Sequence, residues 1–111
     1  MKAIVVAAGL SVLILLGVAC TGDSLESSEA TATNEVAVKD NKFDAQVVEV
    51  SAGTTVTWTW VGDRPHNVTG DNWASDNLSE GSFERTFDVA GTYDYRCTLH
   101  GGMTGRVIVT P

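Results

Sequence analysis

Residues 91–103 read Gly-Thr-Tyr-Asp-Tyr-Arg-Cys-Thr-Leu-His-Gly-Gly-Met, and they form the most informative stretch of the 111-residue chain. The first half alternates like a β-strand, so the odd-numbered residues that end in Cys97 share one face. Cys97 therefore points into the core at the end of a strand. Gly101 and Gly102 allow the chain to turn, which brings His100 and Met103 back to the same point.

A second histidine, His66, lies after the strongest strand signal in the chain, the alternating valine, tryptophans and threonines of residues 54–60. A thiolate, two imidazoles and a thioether form a soft donor set that suits copper. A trigonal His2Cys arrangement with a weak axial Met is typical of copper sites that transfer electrons. The sequence therefore predicts one metal site from His66, Cys97, His100 and Met103.

Each of these residues alone has a simpler explanation. A single cysteine is often a small buried hydrophobe, a single histidine is often structural, and a methionine often fills a gap. The chain has only two histidines and, after residue 20, one cysteine. The predicted site uses nearly all of the strong soft ligands, which makes coincidence the weaker explanation. Zinc also suits imidazole and thiolate, so it stays an alternative occupant.

Residues 1–19 are predicted to be a signal peptide or a membrane anchor. Lys2 gives a positive start, and residues 3–19 are uncharged and mostly apolar. The residues before Cys20 are similar to a lipobox, which would make Cys20 the lipidated first residue of the mature protein. Cleavage without lipidation and an uncleaved leader helix are the alternatives. All three export the domain to the periplasm or cell surface, and two of them tether it to the membrane.

Residues 20–34 are predicted to be a flexible, disordered linker, because they are rich in Ser, Thr, Glu and Ala with Leu25 as the one large apolar residue. Residues 35–111 then form one small domain, near the size at which an apolar core alone is marginal and a bound metal helps. The domain has no cysteine pair. Metal ligation would protect its odd thiol in an oxidising compartment.

The charge balance limits the class of partner. The chain has 7 Lys and Arg against 14 Asp and Glu, a formal net charge of -7. Nucleic-acid binding needs basic patches, so the net charge argues against a nucleic-acid partner. The acidity is interpreted as serving solubility, and the steering of a basic redox partner is the alternative. The sequence also lacks the Cys-x-x-Cys motif of thioredoxin chemistry and the Cys-x-x-Cys-His motif of attached haem.

Short strands without a long helical period predict an all-β sandwich. Residues 70–81 are predicted to be a surface loop with room for a short helical turn and with Trp73 as its anchor. The predicted strands are residues 35–39, 47–50, 54–60, 82–89, 92–97 and 106–110.

Several motifs of this domain together resemble the cupredoxins, the small blue copper proteins, over essentially its whole length. The Cys-x-x-His-x-x-Met loop is similar in length to that of amicyanin and shorter than the usual plastocyanin and pseudoazurin loops. The resemblance implies a Greek-key β-sandwich or barrel. The motifs are Gly53-Thr-Thr-Val-Thr-Trp58, Pro65-His66-Asn67-Val68, Phe83 to Phe87, Gly91 to Cys97, Leu99-His100-Gly-Gly-Met103 and Gly105-Arg-Val-Ile-Val109.

The resemblance implies one type 1 copper ion, with three equatorial ligands and an axial methionine. It also implies a hydrogen bond from Asn67 to the backbone near Thr98, of the kind that orients metal ligands. The implied equatorial ligands are His66, Cys97 and His100, and the implied axial ligand is Met103.

By the same resemblance the protein is a monomeric single-electron carrier, not an enzyme, and it serves redox partner proteins. His100 is the implied electron port, inside a docking patch of Leu99, Gly101 and Gly102. The chain departs from the family at Leu99, where Pro is common, at the two glycines, which replace a stiffer pair, and at Arg85, where an aromatic residue is common.

Two other functions stay open at this point. A cell-surface copper-binding or delivery protein would use the same ligands, but Met1 and Met103 are the only methionines, so the Met-rich tracts of such proteins are missing. Cys97 as a nucleophile with a histidine base is the other alternative, and it leaves Met103 and one histidine without a role.

Overall fold

The structure is a computed structural model and describes residues 29–111. No helix occurs among these residues, so the predicted all-β fold is confirmed. None of their segments is a helix long and apolar enough to cross a membrane. The predicted leader and the first part of the predicted linker lie outside the described residues. The seven strands are β1 (Glu35–Val38), β2 (Phe43–Asp44), β3 (Val47–Ser51), β4 (Thr54–Trp60), β5 (Gly81–Phe87), β6 (Gly91–Arg96) and β7 (Thr104–Thr110).

The strands form two sheets that face each other across the core. The four-stranded sheet has the order β2-β1-β4-β5, and the three-stranded sheet has the order β3-β7-β6. Each sheet contains one parallel pair, β1 with β4 and β3 with β7, and its other pairs are antiparallel. The chain therefore passes between the sheets after β2, β3 and β5, which ties distant parts of the sequence together.

Strand β4 fills the centre of the core because its residues alternate. Val56, Trp58 and Trp60 are buried, while the threonines between them face outward. Trp58 is fully buried, and its ring lies 5.3 Å from that of Tyr95 on the opposite sheet, at an angle of 87°. Edge-to-face pairs of this kind stabilise a core beyond the area that they bury. The two strands that lead to His66 and Cys97 are thus fixed to each other.

The folded domain begins earlier than the sequence predicted. The prediction placed residues 20–34 in the linker, yet the amide of Thr31 donates to the carbonyl of Val47, and the amide of Glu49 donates to the carbonyl of Thr31, both at 2.9 Å. The side chain of Asn34 donates to the carbonyl of Thr55 at 3.0 Å. Main-chain pairing of this kind needs no apolar side chain, so a polar composition does not reveal it.

The loop of residues 70–81 contains no helical turn, although the sequence left room for one. The predicted anchor is confirmed, because the Trp73 ring stacks on Phe83 at a centroid distance of 6.2 Å and lies 5.8 Å from Trp58. Gly70 is required here, since a Cβ at this position would overlap the Trp73 ring. The far end of the loop pairs with His66, because His66 and Leu78 exchange two main-chain hydrogen bonds of 2.9 Å.

Candidate metal centre

Both the main chain and the side chain of His66 are held by polar contacts. Its amide and carbonyl are bonded to Leu78, and its carbonyl also accepts a hydrogen bond from Nε1 of Trp60 at 3.1 Å. Its side chain is completely buried. The ring atom Nε2 lies 3.2 Å from Oδ1 of Asp40. The position of the imidazole is therefore set by the end of β4 and by the 70–81 loop.

Cys97 and Met103 form the base of a closed loop after β6. The amide of Cys97 donates to the carbonyl of Met103 at 2.9 Å, which joins the two ends of the loop. Gly102 has a φ of 81°, a left-handed conformation that glycine adopts without strain. The Cys97 and Met103 side chains are only 3% and 2% exposed. The predicted turn of the chain back toward Cys97 is present.

The two imidazoles and the thiol approach one another in pairs. Sγ of Cys97 lies 3.7 Å from Nδ1 of His66, and the ring centroids of His66 and His100 are 4.5 Å apart. Nε2 of His100 lies 3.3 Å from the carbonyl oxygen of Pro65. Each Nε2 thus lies within hydrogen-bonding distance of an oxygen acceptor, and a neutral ring protonated at Nε2 would leave the lone pair of Nδ1 for a metal.

These donors fit copper by their chemistry. Two imidazole nitrogens, a thiol and a thioether are the soft, mixed set that copper prefers. Within residues 29–111, however, no three His, Cys, Asp or Glu side chains are gathered closely enough to define a metal site by distance alone. The side-chain contacts are pairwise, between Cys97 and His66 and between His66 and His100, so the complete ligand set of His66, Cys97, His100 and Met103 stays a prediction.

Asn67 joins the His66 segment to the cysteine loop, as the resemblance implied. The amide of Thr98 donates to Oδ1 of Asn67 at 3.0 Å, and Nδ2 of Asn67 donates to Oγ1 of Thr98 at 2.7 Å. The same side chain accepts a hydrogen bond from Thr69 and donates one to Asn77. Asn67 is only 5% exposed. It therefore connects His66, Cys97 and the 70–81 loop through one buried amide.

The loop beyond Cys97 lies at the surface. The Leu99 side chain is 44% exposed, Gly101 and Gly102 are exposed, and His100 is half-buried. Leu99, Gly101 and Gly102 flank His100 in the chain and are more exposed than it is. Cys97 itself is buried, and this burial argues against a thiol that attacks substrates, because such thiols are partly accessible.

Arg85, which departs from the family pattern, is accommodated by stacking. Its guanidinium carbon lies 5.0 Å from the ring centroid of Trp73, 4.5 Å from that of Phe87 and 5.9 Å from that of Tyr93. Planar guanidinium groups pack well against aromatic faces. Arg85 thus covers the aromatic cluster at a position where an aromatic residue would be expected.

The sequence analysis missed Asp40, which contacts the His66 ring. The main-chain N–H groups of Arg64 and Asp63, followed by the His66 ring, lower the pKa of Asp40 from 3.8 to about 2. The carboxylate is therefore ionised near neutral pH. A metal-binding histidine usually donates its second N–H to an acceptor, but no sequence spacing indicates which acceptor that is.

Comparison with known proteins identifies the family. The family model described as copper binding proteins of the plastocyanin/azurin family matches residues 30–110. The chain belongs to this family. Copper is therefore its cofactor, as predicted. The matched region begins within a few residues of Thr31, in agreement with the start of the folded domain.

Individual relatives agree with this assignment. The chain is 34% identical to amicyanin-alpha of Methylorubrum extorquens, over 98% of this chain and 99% of the relative. It is 44% identical to halocyanin of Natronomonas pharaonis over 60% of this chain, which spans about half (47%) of the halocyanin. Plastocyanin of Tetradesmus obliquus is 35% identical over 84% of this chain and 77% of its own length.

Solved structures show the same fold. A reduced variant of amicyanin superimposes with a TM-score of 0.64 at 32% identity, covering 70% of this chain and 81% of its own. A purple cupredoxin from Nitrosopumilus maritimus gives a TM-score of 0.64 at 26% identity, covering 68% of this chain and 98% of its own. The predicted cupredoxin fold is confirmed.

Proposed function

We propose that this protein is a type 1 copper protein that carries single electrons between redox partner proteins outside the cytoplasm. The observation that carries the proposal is the Cys97 thiol 3.7 Å from Nδ1 of His66, with a second imidazole ring 4.5 Å from the first. Relatives named amicyanin, plastocyanin and halocyanin support it. The residues that would hold the copper ion are His66, Cys97, His100 and Met103.

Bound copper supplies a one-electron Cu(II)/Cu(I) couple, in which the thiolate and thioether suit the reduced ion and the imidazoles suit the oxidised ion. The chain holds these donors in place. The main-chain pairing with Leu78 fixes His66, and the Cys97 amide bonded to the Met103 carbonyl fixes the loop. Donor groups that are already positioned reorganise little when charge moves. Cys97 and His66 are both buried, which suits a carrier better than an enzyme with a thiol nucleophile.

The proposed electron port is the half-buried ring of His100. The exposed residues Leu99, Gly101 and Gly102 flank it in the chain, and the glycines would allow a partner surface to approach closely. A small, largely apolar patch suits short-lived contact with a redox partner, because weak encounters of this kind bury little area. The protein is proposed to act there as a monomer.

The proposed location is outside the cytoplasm, with the domain tethered to the membrane through lipidated Cys20 or a retained leader helix. The support is the sequence pattern: Lys2, the apolar residues 3–19 and the small residues before Cys20. Residues 21–28 would then separate the membrane from the folded domain. The intact mass of the mature protein from its native host tests this, because lipidation, simple cleavage and retention give three different masses.

A visible absorption spectrum tests the electron-carrier function. The protein is loaded with Cu(II), reduced with ascorbate and then re-oxidised. An intense absorption of orange-red light that bleaches and returns is expected from a thiolate-copper site. Cys97→Ser should abolish this absorption, whereas the matched variant Met103→Leu should keep it.

Other results of this experiment would overturn the proposal. A Cys97→Ser variant with an unchanged spectrum would exclude Cys97 as the ligand that gives the colour. A wild-type protein that stays colourless and binds only Cu(I) would indicate copper delivery instead.

A further inference from the structure

Asp40 contacts the buried ring of His66 and is not one of the proposed metal ligands. It lies in the loop between β1 and β2, and its Oδ1 is 3.2 Å from Nε2 of the fully buried His66. The amide of Arg64 donates to Oδ1 at 2.9 Å, and the amide of Asp63 donates to Oδ1 and Oδ2 at 2.9 and 3.2 Å. The main chain therefore fixes the carboxylate beside the ring.

The chain leaves space for this contact at Gly62. A Cβ at Gly62 would overlap Oδ1 of Asp40 and lie 2.7 Å from its Cγ and 3.0 Å from its main-chain nitrogen. Real Cβ atoms do not approach other atoms so closely, so any larger residue would displace the carboxylate. Gly62 and Asp40 come from different segments and together permit the approach to His66.

The same carboxylate is connected to the second imidazole. Asp63 and Arg64, which Asp40 holds, directly precede Pro65, and the carbonyl oxygen of Pro65 lies 3.3 Å from Nε2 of His100. One carboxylate thus stabilises the turn that supplies the acceptor for the other ring. Both Nε2 atoms face acceptors whose positions depend on this turn.

We propose that Asp40 is a positioning residue for the metal site: its carboxylate accepts the Nε2 proton of His66, keeps Nδ1 directed toward Cys97, and favours Cu(II) over Cu(I) through its negative charge. The preference for Cu(II) rests on the proposed function. The acceptance of the Nε2 proton and the orientation of Nδ1 do not. A nearby negative charge stabilises the more positive ion. Loss of such partners of metal-binding histidines typically changes metal affinity by about 10–100-fold.

The hydrogen-bonding part is tested on the metal-free, full-length protein by the ¹⁵N chemical shifts of the His66 ring, at a pH at which the ring is neutral. The wild type should show the Nε2–H tautomer. Asp40→Asn keeps an oxygen acceptor and should keep this tautomer, whereas Asp40→Ala should raise the Nδ1–H population several-fold. An unchanged tautomer in Asp40→Ala would overturn the positioning role.

Gly62→Ala provides a second way to break the contact, with the carboxylate still present. It should shift the tautomer in the same direction as Asp40→Ala, because the new methyl group displaces the Asp40 side chain. This variant decides the question if Asp40→Ala does not fold. A folded Gly62→Ala protein with the wild-type tautomer would contradict the proposal.

The electrostatic part is tested by the reduction potential after loading with Cu(II). Asp40→Asn should raise the ratio of Cu(I) to Cu(II) affinity about tenfold, which is 59 mV for a one-electron couple. The matched control is Asp44→Asn, which removes the same charge from a carboxylate that pairs with Lys39. Its potential should stay at the wild-type value, because the Lys39 ammonium group 2.9 Å away offsets this charge and the surrounding solvent screens it.

The outcomes separate this inference from the proposed function. Equal shifts in Asp40→Asn and Asp44→Asn, or no shift in either, would overturn the electrostatic part. A wild-type protein with no blue copper site would overturn the proposed function, and the tautomer experiment would still decide whether Asp40 positions His66.

Discussion

Replacing Asn67 with alanine is expected to separate the two segments that form the metal centre. The buried side chain donates to Asn77 Oδ1 at 2.8 Å and to Thr98 Oγ1 at 2.7 Å. It accepts from the amide of Thr98 and from Oγ1 of Thr69, both at 3.0 Å. All four hydrogen bonds are lost in Asn67→Ala, because alanine has neither a donor nor an acceptor in its side chain.

The size of the effect follows from these four bonds. Each hydrogen bond contributes about 0.5–1.5 kcal/mol to the free energy of unfolding, so four give about 2–6 kcal/mol. Asn77 and Thr98 are exposed, and water will replace part of what they lose. The expected loss is therefore about 2–4 kcal/mol, a large share of the stability of a small domain.

Urea unfolding of the metal-free protein measures this loss without a contribution from bound copper. With a slope of about 1 kcal/mol/M, the midpoint should fall by about 2–4 M. The matched control Asn77→Ala removes one of the four bonds and should cost only about 0.5–1.5 kcal/mol. If Asn67→Ala is no less stable than Asn77→Ala, the network does not connect the segments and the reasoning is refuted.

Three further predictions concern the core and the loop. Burial raises the pKa of Tyr95 above 10.0 and outweighs the opposing effect of the adjacent Trp58 indole. Stability should therefore be complete below pH 10 and fall above it. Tyr95→Phe should reduce this fall in a series of melting temperatures, and an unchanged fall would contradict the prediction. The Tyr95 hydroxyl has no hydrogen-bond partner, so the same variant should cost little stability at neutral pH. Gly105→Ala should cost about 1–3 kcal/mol in urea unfolding, because its Cβ would overlap the Tyr95 ring; wild-type stability would contradict this packing. Met103→Leu should keep the blue colour and raise the reduction potential, and a lowered potential would argue against an axial thioether.

The strands that carry the ligands could be predicted because their signal is local. Residues 54–60 were predicted as a strand, and β4 has these same bounds. Alternation of buried and outward residues repeats every two positions, so a few residues suffice to reveal it. The predicted strand at residues 92–97 likewise corresponds to β6 within one residue at each end.

The parts that were missed depend on tertiary contacts. Strand β2 has only two residues, Phe43 and Asp44, which is too short for a periodic pattern. Thr31 joins the domain through main-chain bonds that any residue except proline can make. Asp40 reaches His66 from 26 positions earlier in the chain. Nothing in the sequence around Asp40 or His66 indicates that these two residues are in contact.

The position of β7 has a consequence for the order in which the molecule forms. β7 is the middle strand of its sheet, and it pairs Val47 of β3 with Arg106 and Arg96 of β6 with Thr104. Until a ribosome has made β7, neither β3 nor β6 has a neighbouring strand in that sheet, and the Cys97 amide has no Met103 carbonyl to bond. This sheet and the loop from Cys97 to Met103 therefore cannot close until β7 has been synthesised.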